Sequence, residues 1–311
     1  MGGWTVASCL MSLAIRPVVG YEDLQRWVTT RNAASGDAIT VEMRALVRAR
    51  EMDSVDLIAE HDGEPVGIAF LSGDPRSLEI GRPWFDVRVL AEHRHRGVGS
   101  ALLRDVVDRA KRAGHAGLRC SARAEDGDSL AFLRDHGFSV TRSIEQVSLA
   151  LHPPPMVESR APDGVRLLRL AAEPDLVQAM YELAASTAGD RTDRLGGVNP
   201  TETDWRTYEL SSPFVRLEMT AVATADDKVV GYSIIQDFPG HNALLHRTLV
   251  VAPAWKERGL PRTLVTEAIR DAAAAGVPWL IAMPENQFEA DVFASLGYQL
   301  RERWLEHERV L

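Results

Sequence analysis

The chain repeats itself. Asp62-Gly63-Glu64-Pro65-Val66-Gly67 returns as Asp226-Asp227-Lys228-Val229-Val230-Gly231. Val89-x-Ala91-x-x-Arg94-x-x-Gly97 returns as Val251-x-Pro253-x-x-Lys256-x-x-Gly259, and His136-Gly137-Phe138 as Leu296-Gly297-Tyr298. Val165 to Leu170 with Pro174-Asp175-Leu176 matches Ile15 to Leu24. The offsets are 164, 162 and 160 residues for Gly67, Arg94 and Gly137. Landmarks kept in one order at nearly one spacing imply that a whole domain was duplicated. Between the copies, His152-Pro153-Pro154-Pro155 breaks regular structure, and the polar stretch up to Gly164 reads as a linker. The expected organisation is a first domain over 11–151, a linker over 152–163 and a second domain over 164–311. A chain of 311 residues is the right length for two such domains.

Within the first copy, Met11 to Pro17 reads as a strand, Tyr21 to Arg31 and Thr40 to Arg50 as helices, and Val55 to Glu60 as a strand. Asp62-Gly63 is a hairpin turn and Val66 to Leu71 the returning strand. After a loop over 72–82 comes a central strand, Trp84 to Leu90. A helix follows, with Leu102, Leu103, Val106, Val107 and Ala110 on one face, ended by Gly114. Gly117 to Ala122 is a strand, Asp128 to His136 a short helix, and Ile144 to Leu151 the closing strand. The fold class is therefore α/β (α+β).

The chemistry concentrates between the central strand and the helix after it, in Arg94-His95-Arg96-Gly97-Val98-Gly99-Ser100. Gly97 and Gly99 let the backbone turn and come close to a ligand. The helix then opens with unpaired N–H groups and the positive end of its dipole, a cradle for phosphate. Arg94 and Arg96 add charge to it. The Walker spacing is absent, and the dinucleotide fingerprint fails because Leu102 stands at its third glycine. The whole chain carries a net charge of −9, which argues against nucleic acid as a partner. Two cysteines, Cys9 and Cys120, make neither a disulfide framework nor a metal cluster. Cys120 reads as a small apolar strand residue. The start, Met1 to Ile15, lacks a basic n-region and is too short an apolar run for a membrane span, so the chain is read as cytoplasmic.

The spacing Val89-x-x-x-x-Arg94-x-x-Gly97-x-Gly99 resembles the coenzyme-A-binding segment of the GNAT acyltransferase superfamily, [RQ]-x-x-G-x-[GA] after a strand ending V-x-P-x-x. Ala91 stands where that family often has proline. The order of elements in each half resembles the family too, so the likeness runs through nearly the whole chain twice, as in tandem acetyltransferases. The resemblance implies two GNAT-like domains, each a mixed, mostly antiparallel sheet flanked by helices, with the two central strands splayed around the pantetheine arm. It implies acetyl-CoA as cosubstrate and an amine of a small molecule or peptide as acceptor. It places the coenzyme on Val89, Leu90, Arg94, His95, Arg96, Gly97, Val98, Gly99 and Ser100. In the second half the corresponding loop has Lys256, Gly259 and Pro261. Lysine holds a phosphate as a point charge, and proline donates no amide. Asn286 stands where the family often has an asparagine on the pantetheine, and the first half has Asp126 there. The expectation is one tight coenzyme per chain, in the first domain.

Acetyl transfer needs a neutral amine, a polarised thioester carbonyl and a proton for the departing thiolate. Many family members use a tyrosine four residues before the final G-[FY]; here those positions are Leu133 and Phe293. Others place Glu or His on the central strand, where this chain has Pro83 and Phe85, then Leu245 and Arg247. His246 lies one residue off, and alternation turns it to the other face. Asp86 and Glu79 remain as candidate bases, against a solvent or salt-bridge role; His93, His95 and His136 read as polar loop residues. A water relay with the carbonyl polarised by backbone amides is an equal alternative. Trp84, Trp205, Trp255 and Trp279 could line an apolar pocket or simply fill the core. Three functions stay open: an N-acetyltransferase, a non-catalytic acyl-CoA-binding regulatory or structural protein, and an enzyme of some other nucleotide.

Overall fold

A computed structural model describes residues 13–36, 38–51, 54–72, 81–156, 158, 160–187, 201–238 and 240–311. The first half runs β1 (Leu13–Pro17), α1 (Gly20–Ser35), α2 (Val41–Arg50), β2 (Val55–His61), β3 (Glu64–Leu71), β4 (Phe85–Val89), α3 (Val98–Arg112), β5 (Gly117–Arg123), α4 (Gly127–Asp135) and β6 (Ser139–Ala150). The second runs β7 (Arg166–Arg169), α5 (Val177–Ser186), α6 (Glu202–Glu209), β8 (Ala221–Ala225), β9 (Lys228–Phe238), β10 (Ala243–Val251), α7 (Pro253–Lys256), α8 (Leu260–Ala274), β11 (Trp279–Ala282), α9 (Gln287–Ser295) and β12 (Gln299–Val310). Cys9, Met11 and Glu79 lie outside the described residues.

The chain forms two compact units. One takes the residues up to Ser121 with Gly137–Ser139 and His307–Leu311; the other takes Ala122–His136 and Val140–Glu306. The units therefore do not coincide with the two sequence halves. β6 starts earlier than its hydrophobic pattern suggests, and it pairs antiparallel with β11 of the second half, Leu149 opposite Leu280. The end of β12 lies instead in the first unit, where the Leu311 amide bonds the Ala116 carbonyl. Alternation of residues along a strand reports burial on each face and says nothing of which strand lies alongside.

In the first unit β1 to β4 form an antiparallel sheet in chain order. α1 covers one face, placing Leu24, Trp27 and Val28 against Ile58 and Ile68. α2 is held there by Arg44, whose guanidinium lies over the rings of Trp27 and Phe70 and binds buried Asp56. α3 covers the other face with Leu102, Leu103, Val106 and Ala110 fully buried; each of the two leucines and the valine stabilises the fold by about 1.5–3 kcal/mol. Close approach of α3 requires Gly67, because a Cβ there would come 3.2 Å from a Leu102 methyl and 2.8 Å from the Arg88 carbonyl.

The second unit repeats this plan. Its strand order is β12-β6-β11-β10-β9-β8-β7. α5 and α6 bring Met180, Leu183 and Trp205 to one face, over Tyr232, Ile234 and Val250. α8 and α9 bring Leu260, Leu264, Ile269 and Phe293 to the other, over Leu249, Val251 and Leu280. Gly231 takes the place of Gly67, with Leu260 and Leu264 methyls 3.1–3.2 Å from where its Cβ would lie. No helix among the described residues is long and apolar enough to cross a membrane.

Candidate active site

The two glycine loops end alike but are built differently: Arg94 is extended and His95 left-handed, φ 57°, where Lys256 is helical and Glu257 stays right-handed, φ −86°. Each central strand hands its next residue back to the sheet: the Leu90 amide bonds the Val66 carbonyl, and the Ala252 amide bonds the Val230 carbonyl. A short helical turn follows, over Ala91–His93 in one unit and as α7 in the other. Gly97 then sits at φ 83°, ψ −4° and Gly259 at φ 84°, ψ −1°, each the N-cap of a 15-residue helix. These left-handed values explain why glycine occupies both positions. Neither helix has a side chain capping its first turn. Among the described residues, nothing lies within 4 Å of where a Cβ would stand on either glycine. An open space bounded by helix-start amides accepts an anion.

The expected coenzyme residues of the first unit thus come together, with different duties. Gly97, Val98, Gly99 and Ser100 form the cap and first turn of α3, and the Val98 side chain is buried in the core. His95 also takes a left-handed backbone, φ 57°, and Arg96 is exposed. Arg94 is not simply a free charge: its Nε donates to the Val89 carbonyl at 3.2 Å and one Nη to the Ala34 carbonyl at the end of α1 at 3.3 Å. Asp126 caps α4, accepting from the Ser129 amide and hydroxyl.

In the second unit Lys256 lies with its Nζ 5.3 Å from the centre of the Phe288 ring. Asn286 caps α9, its Oδ1 accepting from the Glu289 amide at 2.9 Å, while the Glu289 carboxylate accepts from the Glu285 amide. Asn-x-x-Glu at a helix start is a legible capping pattern. Lys256, Asn286, Phe288 and Glu289 line a small cleft together with Thr187 and Leu249 to Val251.

The splay of the central strands explains that cleft. β10 pairs in parallel with β11 from Ala243 opposite Trp279 to His246 opposite Ala282, and there the pairing stops. At the same point the register between β10 and β9 shifts, between His246 and Thr248, inserting Arg247 as a bulge. Amides alternate along a strand, so with Ala252 facing β9, the amides of Leu249 and Val251 face the gap left by β11. In the first unit Trp84, just before β4, makes an isolated parallel bridge with Arg119 of β5, and β3 pairs with β4 without any shift.

The candidate proton-transfer groups fall in other places. Asp86 is bonded to Arg88 Nε at 2.8 Å, a salt bridge on β4. His93 lies edge-on to His61, and His136 Nδ1 is 2.8 Å from the Phe132 carbonyl. Leu133 and Phe293 are core residues. His246 faces α9, as alternation requires: its ring meets Phe293 edge-on and its Nε2 lies 2.9 Å from Ser233 Oγ. Burial lowers its pKa to about 3, with only the Thr248 backbone acting the other way. It is a neutral core imidazole. Burial also raises the Tyr298 hydroxyl well above the ordinary range. Cys120 is buried. Trp205 is core, whereas Trp84, Trp255 and Trp279 lie under the guanidinium groups of Arg119, Arg258 and Arg301.

Sequence reasoning passed over one group of residues here. Glu209, the last residue of α6, accepts from Thr248 Oγ1 at 2.8 Å and from Arg247 Nε at 3.3 Å. Nothing in the local sequence around Glu209 marks it, because its partners lie in β10.

Duplicated sheets with splayed central strands, each followed by a left-handed glycine and a helix, define a tandem acyltransferase architecture. The chain belongs to the acetyltransferase (GNAT) family, whose model matches residues 22–138 and 177–298, and it is an N-acetyltransferase. It is 26% identical over 274 residues to a mycothiol acetyltransferase of Nocardia farcinica, covering 86% of each chain. A mycothiol acetyltransferase of Nocardiopsis dassonvillei is also 26% identical, over 78% of each chain. The fold is shared with a GCN5-related N-acetyltransferase from Sphaerobacter thermophilus, with a TM-score of 0.74, 19% identity and 96% and 95% of the two chains covered. A tandem GNAT protein from the clavulanic acid biosynthesis pathway matches equally, with a TM-score of 0.74, 18% identity and 96% and 98% covered.

Proposed function

We propose that the protein transfers the acetyl group of acetyl-CoA to an amine of a small molecule or peptide. The single observation that carries this is the repeated loop: an open left-handed glycine at the head of an uncapped helix, at the end of a splayed strand. In the first unit the coenzyme pyrophosphate would rest on Arg94 to Ser100, with Val89 and Leu90 alongside the pantetheine. Backbone amides supply this contact, so it survives the engagement of Arg94 with Val89 and Ala34. The cleft beside Lys256, Asn286 and Phe288 supports a second coenzyme site in the second unit. There the amides of Leu249 and Val251 would polarise the thioester carbonyl. The similarity to mycothiol acetyltransferases over most of both chains supports a small-molecule acceptor. The Asp86 carboxylate is already engaged by Arg88, which favours proton removal through water.

Release of free thiol from acetyl-CoA, measured with a panel of amines that includes the acceptor of the mycothiol acetyltransferases, tests the reading. Amine-dependent turnover is the expected result. Tight acetyl-CoA binding without turnover on any amine would favour the non-catalytic alternative.

A further inference from the structure

Arg247 is the residue that the register shift adds to β10. A bulge leaves one residue outside the ladder and bends its strand. A long cation at that position needs anchors, and this one has three. Its Nε donates to Glu209, one Nη to Gln236 Oε1 at 3.3 Å and the other to the Tyr208 carbonyl at 3.2 Å. The guanidinium also lies 4.6 Å from the centre of the Tyr208 ring. The Glu209 side chain is 6% exposed and that of Arg247 15%. Burial alone would lower the Arg247 pKa, but Glu209 and Tyr208 outweigh it, so the guanidinium stays charged.

Glu209 also accepts from Thr248, the residue on the far side of the shift. One carboxylate therefore grips the bulged residue and the residue that follows it. Immediately after them come Leu249 and Val251, whose amides face the gap beside β11. Asp86 and Arg88, on the corresponding strand of the first unit, pair with each other, and that strand runs without a shift.

We propose that Arg247 and Glu209 are positioning residues of the second unit. Together they fix the β10 bulge, and the bulge aims the Leu249 and Val251 amides at the thioester carbonyl. This rests on the reading of the adjacent cleft as a coenzyme site. Neither residue is required to touch substrate. Preorganised amides are effective because no reorientation is needed as charge develops on the carbonyl oxygen, so a strand free to relax its register loses that advantage.

The test uses acetyl-CoA labelled with carbon-13 at the carbonyl, bound to a full-length Gly97→Val chain so that only the second unit is filled. The carbonyl resonance is expected to move away from that of free acetyl-CoA. Adding Arg247→Leu with Glu209→Leu removes both charges at once and leaves neither buried alone. Coenzyme affinity is then expected to stay within about threefold, while the resonance returns towards its free position. A bound resonance that does not move between the two chains would overturn the proposal, because a merely structural pair leaves the carbonyl environment alone. If the double substitution prevents folding, Glu209→Gln decides in its place. It keeps an acceptor for Thr248 but weakens the hold on Arg247, and an unchanged resonance would again overturn the assignment. If the Gly97→Val chain binds no acetyl-CoA, the cleft is not a coenzyme site, and this proposal falls with that reading.

Discussion

Gly97 and Gly259 share a left-handed backbone at the heads of two helices of equal length, yet their surroundings differ. Around Gly97 the sequence keeps every amide of the first turn, but its arginine is tied to the Val89 and Ala34 carbonyls; the α4 cap, at the sequence position that matches Asn286, is a carboxylate, Asp126. Around Gly259 an amide is lost to Pro261, but the facing cap is Asn286, beside an aromatic ring and a lysine. A carboxylate can only accept hydrogen bonds, whereas an asparagine whose oxygen caps a helix still has two N–H donors. Sequence motif and built environment thus favour opposite units. A phosphate cradle depends on backbone shape, and a pantetheine channel depends on what the splay leaves open.

The largest effect should come from the glycines. Gly97→Val and Gly259→Val each force a β-branched residue into a left-handed conformation and fill the open space before the amides. Folding stability should fall by about 1–2 kcal/mol. Acetyl-CoA affinity at the altered unit should fall by ~100-fold or more, roughly two amide bonds to phosphate. Calorimetric titration of each variant reads both the site lost and the site kept.

An exchange at the second helix position sharpens the comparison. Pro261→Gly returns an amide to the second loop and should tighten that site by about one to two decades. Gly99→Pro should weaken the first site by a similar factor. If neither exchange moves its site, the amide at this position does not touch the coenzyme.

Packing separates the units more modestly. A Cβ on Gly67 would meet the Arg88 carbonyl at 2.8 Å, whereas on Gly231 the nearest backbone atom, the Val250 carbonyl, would lie at 3.2 Å. Gly67→Ala should therefore destabilise by about 1–3 kcal/mol, and Gly231→Ala by less, about 1 kcal/mol. Thermal denaturation of the pair checks the ranking.

The smallest effect is electrostatic and confined to the first unit. Hydrogen bonds from Arg16 and the Val19 amide hold the Asp23 pKa down at about 2. A depressed carboxylate stabilises above its unfolded pKa and loses that contribution as pH falls through the folded value. Asp23→Asn should cost about 1 kcal/mol at neutral pH, allowing for solvent screening. The difference from the parent chain should vanish as the pH approaches 2 in denaturation curves.

Much of this was legible in the residues. The duplication, the glycine at each helix start, the amphipathic face of α3 and the misplacement of His246 by one residue all follow from local spacing. The destinations of β6 and β12 did not, because a strand's own pattern gives its buried face and not its neighbour. The Arg247 bulge was hidden for a related reason: it exists only in the register between two strands. Glu209 and Thr248 lie 39 residues apart and carry no motif. Arg94 was legible as a motif residue but not as a donor to Ala34, 60 positions away.

The number of acetyl-CoA molecules bound per chain tests the central claim, that each unit carries a coenzyme site, most directly. Native mass spectrometry of the full chain should show two, with Gly97→Val and Gly259→Val each retaining one. A single molecule bound, lost entirely in Gly97→Val and untouched by Gly259→Val, would contradict the account and leave the second unit as scaffold.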